Sequence, residues 1–318
     1  MEEKALRLSA VFLMILTAVS FVLLPKLPAL HTWEVEAREE RIAEEEFAQS
    51  QVTMQNLKIK EQNEAAGAKG ELSIRLPEGV TGDQIAVSND YVTQTIRVEI
   101  PQADRTYFDS YPVLGNSDYI DGLSYTRQGE TGVIEVTTNK VYELQTEYDT
   151  QNFYFNFLTP HEVYDKVVVI DAGHGGRAVG ANKQGINEKD IDLAIVLKLK
   201  EIFDNSDQNI GVYYTRTDDS NPTFDQRVQL ANKSDADLFI SIHNNSTRSG
   251  RMSGTSGTQV MYDETSEASR QFAQICLEEV TGRIGSRDKG LVEGDSIYII
   301  RTSKVPVALI EVGFMTNK

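Results

Sequence analysis

The sequence predicts an α/β fold for its C-terminal half, a sheet with helices on its faces. Ahead of it stand a small all-β domain, an acidic helical stalk and an N-terminal transmembrane helix. Three observations carry this. From Asp165 onward, apolar strand-like runs alternate with amphipathic helical stretches, the pattern of helices packed on a sheet. Short stretches within residues 71–160 instead alternate polar and apolar residues, the mark of half-buried antiparallel strands. Leu8 to Leu24 is one unbroken apolar run.

At 318 residues the sequence is long for one domain. Its net charge of -17 argues against nucleic acid and against an anionic lipid surface as partners. A single cysteine, Cys276, excludes an intrachain disulfide and a cysteine-built zinc cluster. The histidines are His31, His161, His174 and His243.

Residues 1–30 hold the apolar run, bracketed by Arg7 and Lys26. A stretch of ~17–20 apolar residues is about the shortest that crosses a bilayer as a helix. The following "PKLPALHTW" offers no small-x-small cleavage site, so the expectation is an uncleaved anchor. Lys4 and Arg7 before the run, against Lys26 close after it, place the remainder outside. Residues 31–70 form the stalk. From Trp33 to Glu64 the sequence is Glu-rich and free of proline and glycine, Glu34 and Arg38 make a favourable i,i+4 pair, and "AAGAKG" ends the run. The expectation is a solvated helix.

Residues 71–160 carry the alternation in "LSIRLP", "TIRVEIP" and "NFYFNF", with "GVIEVTT" as a further strand. The expectation is a β domain for binding or spacing. Beyond it, the strand candidates are "KVVVIDA", "GVYYTR", "DLFISIH", "GTQVMYD", "SIYIIR" and "VPVALIEVGF". Helix candidates are "EKDIDLAIVLKLKEIF", "FDQRVQLANKS" and "SEASRQFAQICLEEVTGRI". Ile191, Ile195, Leu199 and Ile202 make one core stripe; Ala268, Phe272, Ile275, Cys276 and Val280 make another.

Three of these strands are almost wholly apolar, so they should be central, yet each ends in groups a buried strand excludes. "VVVI" runs into Asp171 and then His174, "LFISI" into His243, and "VALI" into Glu311. Leaving such groups unpartnered costs several kcal/mol, so they should meet, and α/β sheets gather ligands beyond the carboxyl ends of their strands. A divalent metal explains the set, because two imidazoles and a carboxylate form a common catalytic zinc shell with one position left for water. His174 and His243 supply the nitrogens. On position alone the carboxylate is Glu188, Glu311 or Asp171, and by spacing alone Glu188 reads first as an ordinary first-turn acid. The glycines of "AGHGG" allow a sharp turn. "GHGGRAVG" lacks the Lys-Ser/Thr of a P-loop and the GxGxxG spacing, so no nucleotide is expected.

Taken together, "VVIDAGHGG", "NEKDIDLAI", "ADLFISIHNN" and "VALIEVGFMTN" resemble the zinc-dependent N-acetylmuramoyl-L-alanine amidases of bacterial cell walls, from about Lys166 to the end. The resemblance implies a central, largely parallel sheet in a catalytic domain spanning 165–318. It implies zinc held by His174, Glu188 and His243, and Glu311 as the catalytic base. The implied reaction is hydrolysis of the amide between N-acetylmuramic acid and L-alanine in peptidoglycan. Asp171 would orient a ligand imidazole or make a structural hydrogen bond, and Arg216, Asn245 and Arg301, at strand ends, are candidate substrate contacts for which structural pairing is the stronger alternative. Some relatives block their zinc with a long helical insert; "YDETSEASRQFAQICLEEVTGRIGSRDKGL" holds one ordinary helix, so an open site is expected. The resemblance also implies a final helix beyond "GFMTNK", so that the sequence would be truncated at its C-terminal end. With the anchor, the expectation is a single-pass membrane protein whose catalytic domain faces the cell wall from the extracytoplasmic side, the β domain serving as a loosely similar wall-targeting module. Rival readings are a zinc deacylase or peptidase acting on another amide, and a non-catalytic wall-binding protein.

Overall fold

A computed structural model describes residues 27–61 and 69–317. The apolar run Leu8–Leu24 lies outside them; among the described residues no helix is long and apolar enough to cross a membrane. The first helix, α1, spans Leu27–Ser50. It ends earlier than the Glu-rich composition predicts, and short strands follow at Gln55–Asn56 and Lys60–Glu61.

Residues 55–158 build two five-stranded sheets. In Thr95–Pro101 and Asn152–Leu158 every second side chain is buried. These inward faces share one core that includes Leu72, Ile96, Val98, Ile134, Phe153 and Phe155.

The C-terminal half is a six-stranded sheet assembled from β1 (Lys166–Ala172), β2 (Ile210–Tyr214), β3 (Leu238–Asn245), β4 (Thr258–Tyr262), β5 (Asp288–Glu293) and β6 (Val307–Phe314). Its spatial order is β2-β1-β3-β6-β4-β5. All neighbours are parallel except β6 and β4. The helices are α2 (Glu188–Asp204), α3 (Phe224–Lys233), α4 (Glu267–Ile284) and α5 (Tyr298–Thr302).

Alternation along β1 decides which side chain meets which layer. Val167 and Val169 pack with Val228, Leu230 and Ile300 of α3 and α5. Ile170 and Ala172 pack with Val196 of α2 and Leu277 of α4. The strands at the centre are therefore apolar on both faces along most of their length, and their polar side chains gather toward the carboxyl ends.

One expected strand is a helix. "SIYIIR" forms α5, in which the consecutive residues Ile299 and Ile300 are both buried; a strand would have sent them to opposite faces. So short an apolar run does not distinguish the two by period.

Candidate active site

The turn after β1 answers to packing. His174 has φ 58° and Gly175 φ 140°, both in the left-handed region. A Cβ at Gly173 would run into the imidazole of His243, and one at Gly175 into the carbonyl of Ser220. Glycine is what lets the backbone reverse here while two imidazole rings approach to a centroid distance of 4.8 Å.

Glu188 opens α2 and points back at both rings. Its Oε1 lies 3.1 Å from His174 Nε2 and 3.2 Å from His243 Nδ1. The backbone N–H of Ala181 donates to Oε2 at 2.7 Å, and that of Asn244 to Oε1 at 3.1 Å. Burial opposes the charge on Glu188, but the two imidazoles outweigh it and hold the carboxyl well below its usual range. The helix-start acid is thus part of the site.

Asp192 is the residue that the sequence reading missed. It sits one turn after Glu188 on the same face of α2, fully buried. One oxygen accepts from Asn244 Nδ2 at 2.8 Å, while Oδ2 has no partner among the described residues. Burial pushes its carboxyl up to about 7. The i,i+4 spacing of two acids at a helix start was the available signal.

These residues suit a metal. Ligand atoms of His174, Glu188, Asp192 and His243 all lie within 4.8 Å of one another. Around a tetrahedral zinc with bonds of about 2.0–2.1 Å, neighbouring ligand atoms fall roughly 3.3 Å apart, close to the imidazole–carboxylate separations here. Among the described residues, buried Asp192 Oδ2 and Glu311 Oε2 lack hydrogen-bond partners, an arrangement that is costly unless a cation or reacting group completes it.

Glu311 stands in β6 directly beside His243, its Cα partner across the parallel pair. Burial pushes its carboxyl up to about 7. A carboxyl that titrates near neutrality, without a hydrogen-bond partner among the described residues and next to a candidate metal ligand, is equipped for proton transfer.

The remaining candidates divide differently. Asp171 touches neither imidazole; it accepts from Thr215 Oγ1, Ser241 Oγ and Arg227 Nη1, each at 2.6 Å. Burial opposes its charge, but these partners outweigh it and hold the carboxyl down at about 2. Arg227 was hidden in a helix read as ordinary. It also donates to the backbone carbonyls of Ala172 at 2.7 Å and His174 at 2.8 Å, so the Asp171–Arg227 pair fastens the His174 turn from behind. Arg216 is buried and donates to the carbonyls of Ala172, Gly173, Lys189 and Asp218; every nitrogen is engaged with backbone, which is structural pairing and leaves no donor group for a substrate contact. Asn245 lines the site cavity. Arg301 lies on α5, not at a strand end, and donates to Ser296 O at 2.9 Å.

Two further expectations are overturned by α1. The Glu-rich helix is not a solvated stalk, and the site is not open. Glu36 Oε1 accepts from the Tyr298 N–H at 2.7 Å and Glu40 Oε2 from the Phe224 N–H at 2.6 Å. Glu46 accepts from Arg177 N and Nε and from Asn221 Nδ2, all at 3.0 Å. Between them, Glu39 Oε2 comes 3.2 Å from His174 Nδ1, an ion-pair contact without hydrogen-bond alignment. The cavity left beneath is about 270 Å³, with His174, His243 and Glu311 on its floor and Val35 and Glu39 on its roof.

Residues 168–318 match the Amidase_3 family, described as N-acetylmuramoyl-L-alanine amidase. The protein belongs to the N-acetylmuramoyl-L-alanine amidase family. YqiI of Bacillus subtilis (strain 168), an uncharacterized protein, is 39% identical over 48% of this sequence and 71% of its own length. The N-acetylmuramoyl-L-alanine amidase CwlM of Bacillus licheniformis is 32% identical over 47% of this sequence and 57% of its own. Among solved structures, an N-acetylmuramoyl-L-alanine amidase from Clostridium difficile 630 is 34% identical; the match covers 48% of this protein and 81% of that one, with a TM-score of 0.45. The match thus spans little more than half of CwlM, and it falls on the α/β half, where all the candidate ligands lie.

Proposed function

We propose that this protein is a zinc-dependent amidase that cleaves the bond between the lactyl group of N-acetylmuramic acid and the L-alanine of peptidoglycan stem peptides. The observation that carries the reading is the convergence of His174, Glu188 and His243 beside the unpartnered carboxylate of Glu311. Family membership supports the substrate class.

His174, Glu188 and His243 would hold the zinc, with Asp192 beside them steadying Asn244. Bound there, zinc supplies a water acidified to about pKa 7 and a Lewis acid for the scissile carbonyl. Glu311 takes the proton from the attacking water. It then delivers that proton to the departing L-alanine nitrogen, a step an amide requires because its amine leaves poorly. Arg216 and Arg227 act on the fold alone, fixing the strand end that presents His174. The apolar run Leu8–Leu24 supports a membrane anchor that would hold this half against the wall from the outer side.

A digest of purified wall, analysed by mass spectrometry with and without chelator, tests the reading. Stem peptides with a free L-alanine amine, lost on chelation, are expected. Shortened peptides or deacetylated sugars would point instead to a zinc peptidase or deacylase.

A further inference from the structure

We propose that α1 is an autoinhibitory cap: this acidic helix lies in the groove that a glycan strand and its stem peptide must enter, and it must lift before the wall can be cut. The proposal rests on the amidase reading for the nature of the substrate, but the blocking contact itself is a matter of geometry.

The contact is aimed at the centre of the site. Glu39 comes within 3.2 Å of His174, whose other ring nitrogen lies 3.1 Å from Glu188. Glu36, Glu39, Glu40 and Glu46 engage the α/β half, and Ala43 is buried on the same side of the helix. Their spacing puts them on one face of the helix. Glu34, Arg38, Arg41 and Glu44 face solvent. The acids therefore divide into an exposed set and a docked set, and the docked set meets N–H groups and arginines around the groove. A glycan strand is far too large for the 270 Å³ left under the helix.

The same contacts make the cap removable. Ala43 is buried to 2% exposure, but Val35 and Phe47 remain exposed at 43% and 37%. The docked face is thus joined by hydrogen bonds and ion pairs at a rim open to water, the Arg177 pairs among them. Such pairs hold weakly and yield to competing charge. An element of this kind opens locally without unfolding the sheet behind it. A partner or an acidic wall polymer that competes for Arg177 and the rim N–H groups would free the site.

The test uses the full-length protein, zinc-loaded, with two separate variants on the docked face, Ala43→Arg and Glu40→Lys. Neither residue belongs to the metal or proton-transfer machinery. Three quantities are read: amide hydrogen exchange across residues 34–50, the rate at which a chelator strips the zinc, and the digestion of purified wall. The cap account expects both variants to lose exchange protection in α1 while β1, β3 and β6 keep theirs. Zinc should then be stripped about ten times faster, and wall digestion should rise by a similar factor. Loss of α1 protection with unchanged zinc stripping and unchanged or lower digestion would overturn the proposal, as would α1 protection that survives both substitutions. If stripping accelerates while no form cuts wall, the cap stands and the amidase reading fails.

Discussion

His243 and Glu311 are register partners across the parallel strands β3 and β6. Neighbouring strands stand about 4.8 Å apart, so a candidate metal ligand and an acid at matched positions arrive side by side at the same sheet end. No loop has to be ordered to bring them together. Glu311 therefore stands on a central strand of the sheet, beside the imidazole proposed to hold the metal.

That placement gives the first expectation. Glu311→Gln keeps the shape of the side chain and removes its proton affinity. Wall cleavage should fall by roughly 10²–10⁴-fold, the usual worth of a positioned acid–base group, while zinc content and exchange protection stay unchanged. Cleavage at the parent rate would remove Glu311 from the mechanism.

The pH profile follows from burial. Glu311 must be ionised to accept a proton, and burial lifts its carboxyl from 4.5 to about 7. A bound dication pulls it back down, so the acid limb of the activity profile should have its midpoint between those two values. The sign for stability is opposite. In metal-free protein, the protonated carboxyl contributes stability that is complete below 4.5 and lost as pH rises through about 7. Asp192, raised from 3.8 to about 7, acts the same way. Thermal melting should therefore show metal-free protein weakening across this window, and zinc should restore it.

Asp171 and Arg227 form a buried pair at 2.6 Å, with side chains 1% and 2% exposed. Breaking such a pair from one side costs about 3–5 kcal/mol, and Asp171→Asn should lose that much in urea unfolding. Asp171 titrates in the opposite sense to Glu311. Its carboxyl is lowered from 3.8 to about 2, so its contribution is present above 3.8 and lost as pH falls through about 2. The parent should lose stability on acidification through that range, and the variant should not lose this share.

Gly173→Ala tests the packing of the two imidazoles. The added methyl meets the His243 ring, which must shift and so disturb its contact with Glu188. Zinc affinity should drop by roughly 10–100-fold, comparable to the loss of an orienting partner, measured by competition with a chromophoric chelator. Unaltered affinity would show that the ring has room that the geometry denies it.

The sheet and its ligand-bearing strand ends were legible because polar groups at the ends of wholly apolar strands break a strong rule. His174, His243 and Glu311 announced themselves in this way; Glu188 needed the family resemblance, since a first-turn acid is ordinary by itself. Asp192 was missed as one more acid in a helix with an obvious apolar stripe. Arg227 was missed because a single inward-facing arginine in "FDQRVQLANKS" leaves no periodic trace. Arg216 sat at a strand end, where structural pairing was the stronger reading and a substrate contact the weaker, and its fork is spent on carbonyls. The docking of α1 was illegible for a related reason. Hydrophobic periodicity reports apolar faces, and this helix binds through carboxylates, which a sequence presents as solvated.

Zinc per molecule, measured by atomic emission for the parent and for His174→Ala, Glu188→Ala and His243→Ala after dialysis, tests the central claim most directly. One zinc in the parent and less than a tenth as much in each variant, with all four equally folded by circular dichroism, is the predicted result. Full zinc retained by any one of the three variants would contradict it.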